Sequence, residues 1–131
     1  MQQEEMVSLW AGHADSASDL EAYLKIAYTE DGEVILSPFA RDFRIEYYDE
    51  DFIEAKYYDK SLQSVSGLLH GFSYDNVITP QFTQLLGDPL PLPVNAVVLL
   101  YHFKYAGEAG LPASGPVTLR FMGVVSMESS R

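Results

Sequence analysis

The residues best equipped for chemistry crowd into one stretch of the chain. Asp49, Glu50, Asp51 and Glu54 lie within six positions, interleaved with Tyr47, Tyr48 and Phe52. Like charges at such spacing repel one another, so folding alone does not favour the arrangement. Hard carboxylate oxygens could ligate Mg²⁺ or Ca²⁺. Two of them at the right separation could hydrolyse a glycosidic bond. Alternatively the acids could face a basic protein surface, with outward-pointing rings as anchors. The structural alternative is a solvated turn between two strands.

Other chemistries have less to stand on. His13, His70 and His102 are far apart and share no ligand spacing, so each reads as structural. The acidic run lacks the spaced ligands and central glycine of an EF-hand loop. No serine sits in a Gly-x-Ser-x-Gly elbow, and there is no phosphate loop, dinucleotide fingerprint or His-Glu-x-x-His. With no cysteine, disulfides, thiolate metal sites and cysteine nucleophiles are excluded. The expectation is a protein that is not an enzyme and carries neither cofactor nor metal.

Charge favours the partner-binding use. The 131 residues carry a net charge of −11, and 15 acidic against 5 basic residues fall within the first 60 positions. A field of that sign repels nucleic acid and anionic membrane and attracts basic partners. The N-terminus is acidic where a secretory signal would be basic, and no apolar run approaches a membrane span. The chain therefore reads as unexported and cytoplasmic. Its length fits one domain, 1–131, and its 47% hydrophobic content can fill a core.

The elements that must position the acidic run follow from periodicity. Residues 6–10 alternate as a short strand ending at Gly12, with Trp10 as a core ring whose indole N–H should find an acceptor. Ser18-Asp19-Leu20-Glu21 reads as a capping box opening a helix that stops near Gly32. Ser37-Pro38 starts a second helix with Phe39 and Phe43 on its inner face. A strand is expected on each side of Asp49-Glu50-Asp51, over 45–48 and 52–58, or else one long irregular strand.

Residues 61–71 read as a third helix, and Thr79-Pro80 as the start of a fourth that ends at Gly87. The proline-rich 90–93 is a connector. Residues 95–105 form a strand apolar on both faces, with Val97, Leu99, Tyr101, Phe103 and Tyr105 on one side. Residues 117–127 form its hairpin partner across the long 106–116 loop, itself a candidate for partner contact. The fold class is α+β, a mainly antiparallel sheet of about four to five strands with helices on one face.

Several of these segments, taken together, resemble a known family. Val7-Ser8-Leu9-Trp10-Ala11-Gly12, residues 20–23 within an acidic helix, Ser37-Pro38-Phe39-Ala40-Arg41-Asp42-Phe43 and Tyr48-Asp49-Glu50-Asp51-Phe52-Ile53-Glu54-Ala55 are similar to the immunity protein 22 family of bacterial polymorphic-toxin systems. The likeness covers roughly the first half of the chain. It implies an α+β domain that binds and neutralises a cognate toxin, often a nuclease. The expected toxin-binding residues are Tyr48, Asp49, Glu50, Asp51 and Glu54, with Trp10 as an added anchor. A carboxylate-based metal-dependent hydrolase and an interaction domain without a toxin are the alternatives.

Overall fold

A computed structural model describes residues 2–45, 48, 50–105 and 115–126, apart from the side chains of 2–4 and 50. Its centre is a four-stranded antiparallel sheet. The strands are β1 (Gln2–Ala14), β4 (Ile53–Leu62), β5 (Val94–Phe103) and β6 (Val117–Ser126), in the order β4-β5-β1-β6. A separate two-stranded ribbon pairs β2 (Ala27–Tyr28) with β3 (Val34–Ile35). Four helices complete the α+β fold: α1 (Ala17–Leu24), α2 (Pro38–Asp42), α3 (Val65–Leu69) and α4 (Asp75–Leu86).

The expected hairpin of β5 with β6 does not form. β1 is thirteen residues long and lies between them, pairing with β5 on one side and β6 on the other. Gly12 permits the close approach to β6, since a Cβ there would stand 2.0 Å from the Thr118 carbonyl oxygen.

Helices cover both faces of the sheet, not the single face expected. Because successive strand side chains point to opposite sides, Trp10, Ala96, Val98 and Leu100 join Leu20, Tyr23, Phe39 and Phe43 from α1, α2 and the residue following α2. Leu9, Val97, Leu99 and Tyr101 join Val65, Leu68, Ile78 and Phe82 from α3 and α4. Two cores therefore share one sheet. Phe103 and Tyr105 belong to the first core although Tyr101 belongs to the second. His102, at φ 58°, takes a left-handed conformation that interrupts the alternation. An irregularity in the β1–β6 register does the same for Val125, which packs in the second core while Leu119 packs in the first.

Helix ends also differ from expectation in instructive ways. Ser16, not Ser18, caps α1 by accepting a hydrogen bond from the Asp19 N–H at 3.1 Å. The helix stops at Leu24 because Lys25 is already extended. Gly32, at φ 88°, closes the turn of the ribbon instead of ending a helix. Ser37 caps α2 as expected, accepting from the Ala40 N–H at 3.1 Å. Pro80 lies inside α4, which begins at Asp75 after a left-handed Tyr74. The proline removes one N–H from the helical ladder, and it is tolerated on an exposed face.

Candidate functional site

Glu50 and Asp51 of the acidic run occupy a turn at a strand end. Residues Glu50–Phe52 form a 3₁₀ turn that leads into β4, an edge strand of the sheet. Asp49 and Tyr47 lie outside the described residues, as does the side chain of Glu50. Asp51 is exposed and Glu54 is half-buried. Ile45 and Tyr48 are buried and are not in a strand, while residues 46 and 47 of the expected first flanking strand lie outside the described residues.

The aromatic half of the expected surface is overturned by burial. Trp10 has no exposed surface and Tyr48 only 5%. Trp10 stands among four rings, with centroids 4.9 Å from Phe39, 5.8 Å from Phe43, 5.3 Å from Tyr105 and 5.4 Å from Phe121. Its indole N–H has no hydrogen-bond partner among the described residues, contrary to expectation. Tyr48 reaches the Ser37 hydroxyl at 3.0 Å and donates to the Leu24 carbonyl at 3.4 Å, tying the ends of α1 and α2 together. Phe52, Tyr57 and Tyr58 also pack against the cores. In a strand of an already covered sheet, aromatic residues have apolar surface on both sides to bury against, and burial wins over display.

Glu54 is held from within the chain. One carboxylate oxygen accepts from the Tyr101 hydroxyl at 2.6 Å and the Ser73 N–H at 3.0 Å, and the other from the Ser73 hydroxyl at 2.9 Å. Tyr101 also lies 2.9 Å from the Ser73 carbonyl. The carboxylate thus anchors the loop between α3 and α4 to the sheet. Burial alone would raise the Glu54 pKa, but the hydrogen bonds from Tyr101 and Ser73, with the nearby Lys56 charge, outweigh it and hold the group below its ordinary value. Burial and the adjacent Glu54 push the Tyr101 hydroxyl up, so it remains a donor. With both oxygens engaged, Glu54 is a poor metal ligand. Among the described residues no three His, Asp or Glu side chains are grouped to hold a metal ion.

A pH test follows from Glu54. Since folding lowers its pKa, the folded state holds the proton less tightly than the unfolded one. The stabilisation is complete above about pH 5 and is lost as pH falls through the folded value, below the ordinary 4.5. In urea denaturation, Glu54→Gln should therefore unfold earlier than the native chain at neutral pH and converge with it as pH falls below the folded value. A gap that stays constant across that range would show that the charge is not what anchors the loop.

The exposed display lies elsewhere. On the β2–β3 ribbon, Tyr28, Val34 and Ile35 are 56%, 58% and 42% exposed. Glu30, Asp31 and Glu33, in the intervening turn, are exposed as well. The sequence signal was present: seven acidic and two basic residues occupy positions 15–42. It was hidden because residues 25–31 read as the tail of a helix. No described lysine or arginine forms a salt bridge with a described carboxylate, and the one ion pair joining two described residues is His13 to Asp15 at 3.1 Å. Among the described residues no helix is long and apolar enough to cross a membrane.

No curated protein and no solved structure matches the chain. A family model described as Immunity protein 22 matches residues 7–128, which takes in both cores, the ribbon and the acidic turn. The chain therefore belongs to the immunity protein 22 family.

Proposed function

We propose that this protein neutralises a cognate bacterial toxin by binding it through its acidic surface, acting as an inhibitor without catalysis of its own. Family membership supports an immunity role in general. The observation that carries the finer reading is the charge: a surplus of eleven negative charges, nearly all of it in the first 60 residues. A large net charge of one sign costs self-repulsion in the folded state and speeds encounter with a partner of the other sign.

A nuclease fits best as the target. Its active site is a cationic groove shaped for phosphates, so an anionic protein surface competes for it without any nucleic acid. The proposed contacts are Asp49, Glu50 and Asp51 of the acidic run, with Glu54, whose carboxylate is tied to Ser73 and Tyr101, beside them at the start of β4. Trp10 and Tyr48 stabilise the scaffold behind it. The setting is a polymorphic-toxin system, with the complex formed in the cytoplasm.

Co-expression with the effector encoded immediately upstream tests the class. Growth should be rescued, and the purified pair should form a stable complex. Failure to bind that effector while it remains toxic would refute the reading. The acidic turn is tested by Asp49→Lys together with Asp51→Lys. Stopped-flow association should slow by about tenfold or more at low salt, with a shallower salt dependence and little change in dissociation. An unaltered association rate would remove this turn from the contact.

A further inference from the structure

Between α1, α2 and the first residues of β6 lies an open cleft of about 300 Å³. Asp19, Ala22 and Tyr23 come from α1, Pro38 and Asp42 from α2, and Val117 from β6. Two carboxylates line it, and among the described residues no basic one does. The Tyr23 hydroxyl donates to Asp42 Oδ2 at 2.7 Å, which fixes the direction in which that carboxylate points. Among the described residues this is the only hydrogen bond made by either carboxylate.

Helix stability explains one of these acids and not the other. Asp19 lies in the first turn of α1, where a negative charge favours the helix. Asp42 is the last residue of α2, where the helix dipole disfavours it. Nor does Asp42 offset a neighbouring base, since neither Arg41 nor Arg44 is in salt-bridge contact with it. Its partner within the chain is a neutral phenol that stays protonated, because burial and the carboxylate itself push the Tyr23 pKa up.

The remaining walls complete the chemistry. Ala22, Pro38, Val117 and the Tyr23 ring offer an apolar lining suited to a methylene stem, with the carboxylates there to meet a charged head. The volume is at the low end of the roughly 300–1,000 Å³ seen for small-molecule sites, enough for a single long side chain. Two carboxylates are too few for a Ca²⁺ cage, which takes about six to eight oxygens. A guanidinium, planar and with five N–H donors in a fixed fork, suits a carboxylate held in one orientation as Asp42 is, whereas an ammonium acts as a point charge. The ribbon that joins the two walling helices carries exposed Tyr28, Val34 and Ile35 beside three acids, so the surroundings also suit a basic protein.

We infer that this cleft receives an arginine side chain of the toxin. The inference rests on the immunity reading for the identity of the partner, but the cleft can be probed without it. In an NMR titration of the ¹⁵N-labelled chain with N-acetyl-arginine amide, the amides of Ala22 and Val117 should shift saturably. The uncharged N-acetyl-citrulline amide should bind at least tenfold more weakly, and N-acetyl-lysine amide should fall between. Asp42→Asn, which keeps an acceptor for Tyr23, should abolish the response. Equal binding of citrulline, absence of saturation, or an unchanged response in Asp42→Asn would overturn the assignment.

A second arm uses the toxin complex, where Asp42→Asn should raise Kd by at least tenfold. If the native chain binds the toxin and Asp42→Asn binds equally well, the cleft assignment fails and the immunity reading stands. If the arginine probe saturates selectively but no upstream effector binds, the immunity reading fails and the cleft remains a guanidinium site.

Discussion

Trp10→Ala should lower the unfolding free energy by about 3–5 kcal/mol, the usual range for deleting a large buried ring. The residue has no exposed surface and touches four other aromatic rings, so its removal leaves a cavity that both the helices and the sheet border. Trp10→Phe should cost much less, no more than about 1–2 kcal/mol. The indole N–H is buried without an acceptor among the described residues, and an unsatisfied donor of that kind costs about 1–3 kcal/mol. Phenylalanine removes that penalty while keeping most of the edge-to-face packing against Phe39. Urea denaturation of both variants measures the difference. Equal losses in the two would mean that the lost indole ring, and not the orphaned donor, dominates. Toxin association by Trp10→Phe should match the native protein, because a fully buried ring cannot be a contact.

That reassignment of Trp10 shows what the sequence could and could not convey. The α+β class, the antiparallel sheet, the Ser37-Pro38 helix start and a strand apolar on both faces all follow from local periodicity and capping chemistry, which the chain writes explicitly. Strand order does not. Nothing in residues 6–10 announces that β1 extends over thirteen positions and separates β5 from β6. Nor does alternation reveal where it breaks: the left-handed His102 moves Phe103 and Tyr105 from one core to the other.

The candidate surface was legible as charge and illegible as shape. Acid content located the first 60 residues as the negative part of the chain. Tyr48 and Phe52 looked like anchors because aromatic residues serve cores and interfaces alike, and only a sheet covered on both faces decides for the core. Asp19 and Asp42 are 23 positions apart, so the cleft they share exists only after α1 and α2 have docked. The ribbon between those helices was lost to a helical reading that Lys25, already extended, does not permit.

Asn95→Asp should be among the most damaging single-atom changes available to this fold, costing about 3–5 kcal/mol at neutral pH, the range for an uncompensated buried charge. Asn95 is 7% exposed and clamps the backbone of Ala14 from both sides, accepting its N–H at 2.8 Å and donating to its carbonyl at 3.0 Å. Ala14 ends β1 and pairs with Val117; the next N–H, of Asp15, donates to the Pro116 carbonyl at 2.8 Å, and Ser16 then caps α1. One amide thus fixes the corner from which two walls of the acidic cleft depart. Aspartate keeps the shape but sets a second acceptor against the Ala14 carbonyl, so the folded state should favour the protonated form, whose O–H can donate. Its pKa would then be raised on folding, which puts the full penalty above the folded value and relieves it as pH falls towards the unfolded value of about 3.9. Asn95→Ala lacks the charge and should cost about 1–3 kcal/mol at every pH. Urea titrations of the two variants at about pH 7 and about pH 4 separate the effects, each referred to the native chain at the same pH. A loss in Asn95→Asp that is the same at both pH values would mean that the buried charge is not what the corner rejects.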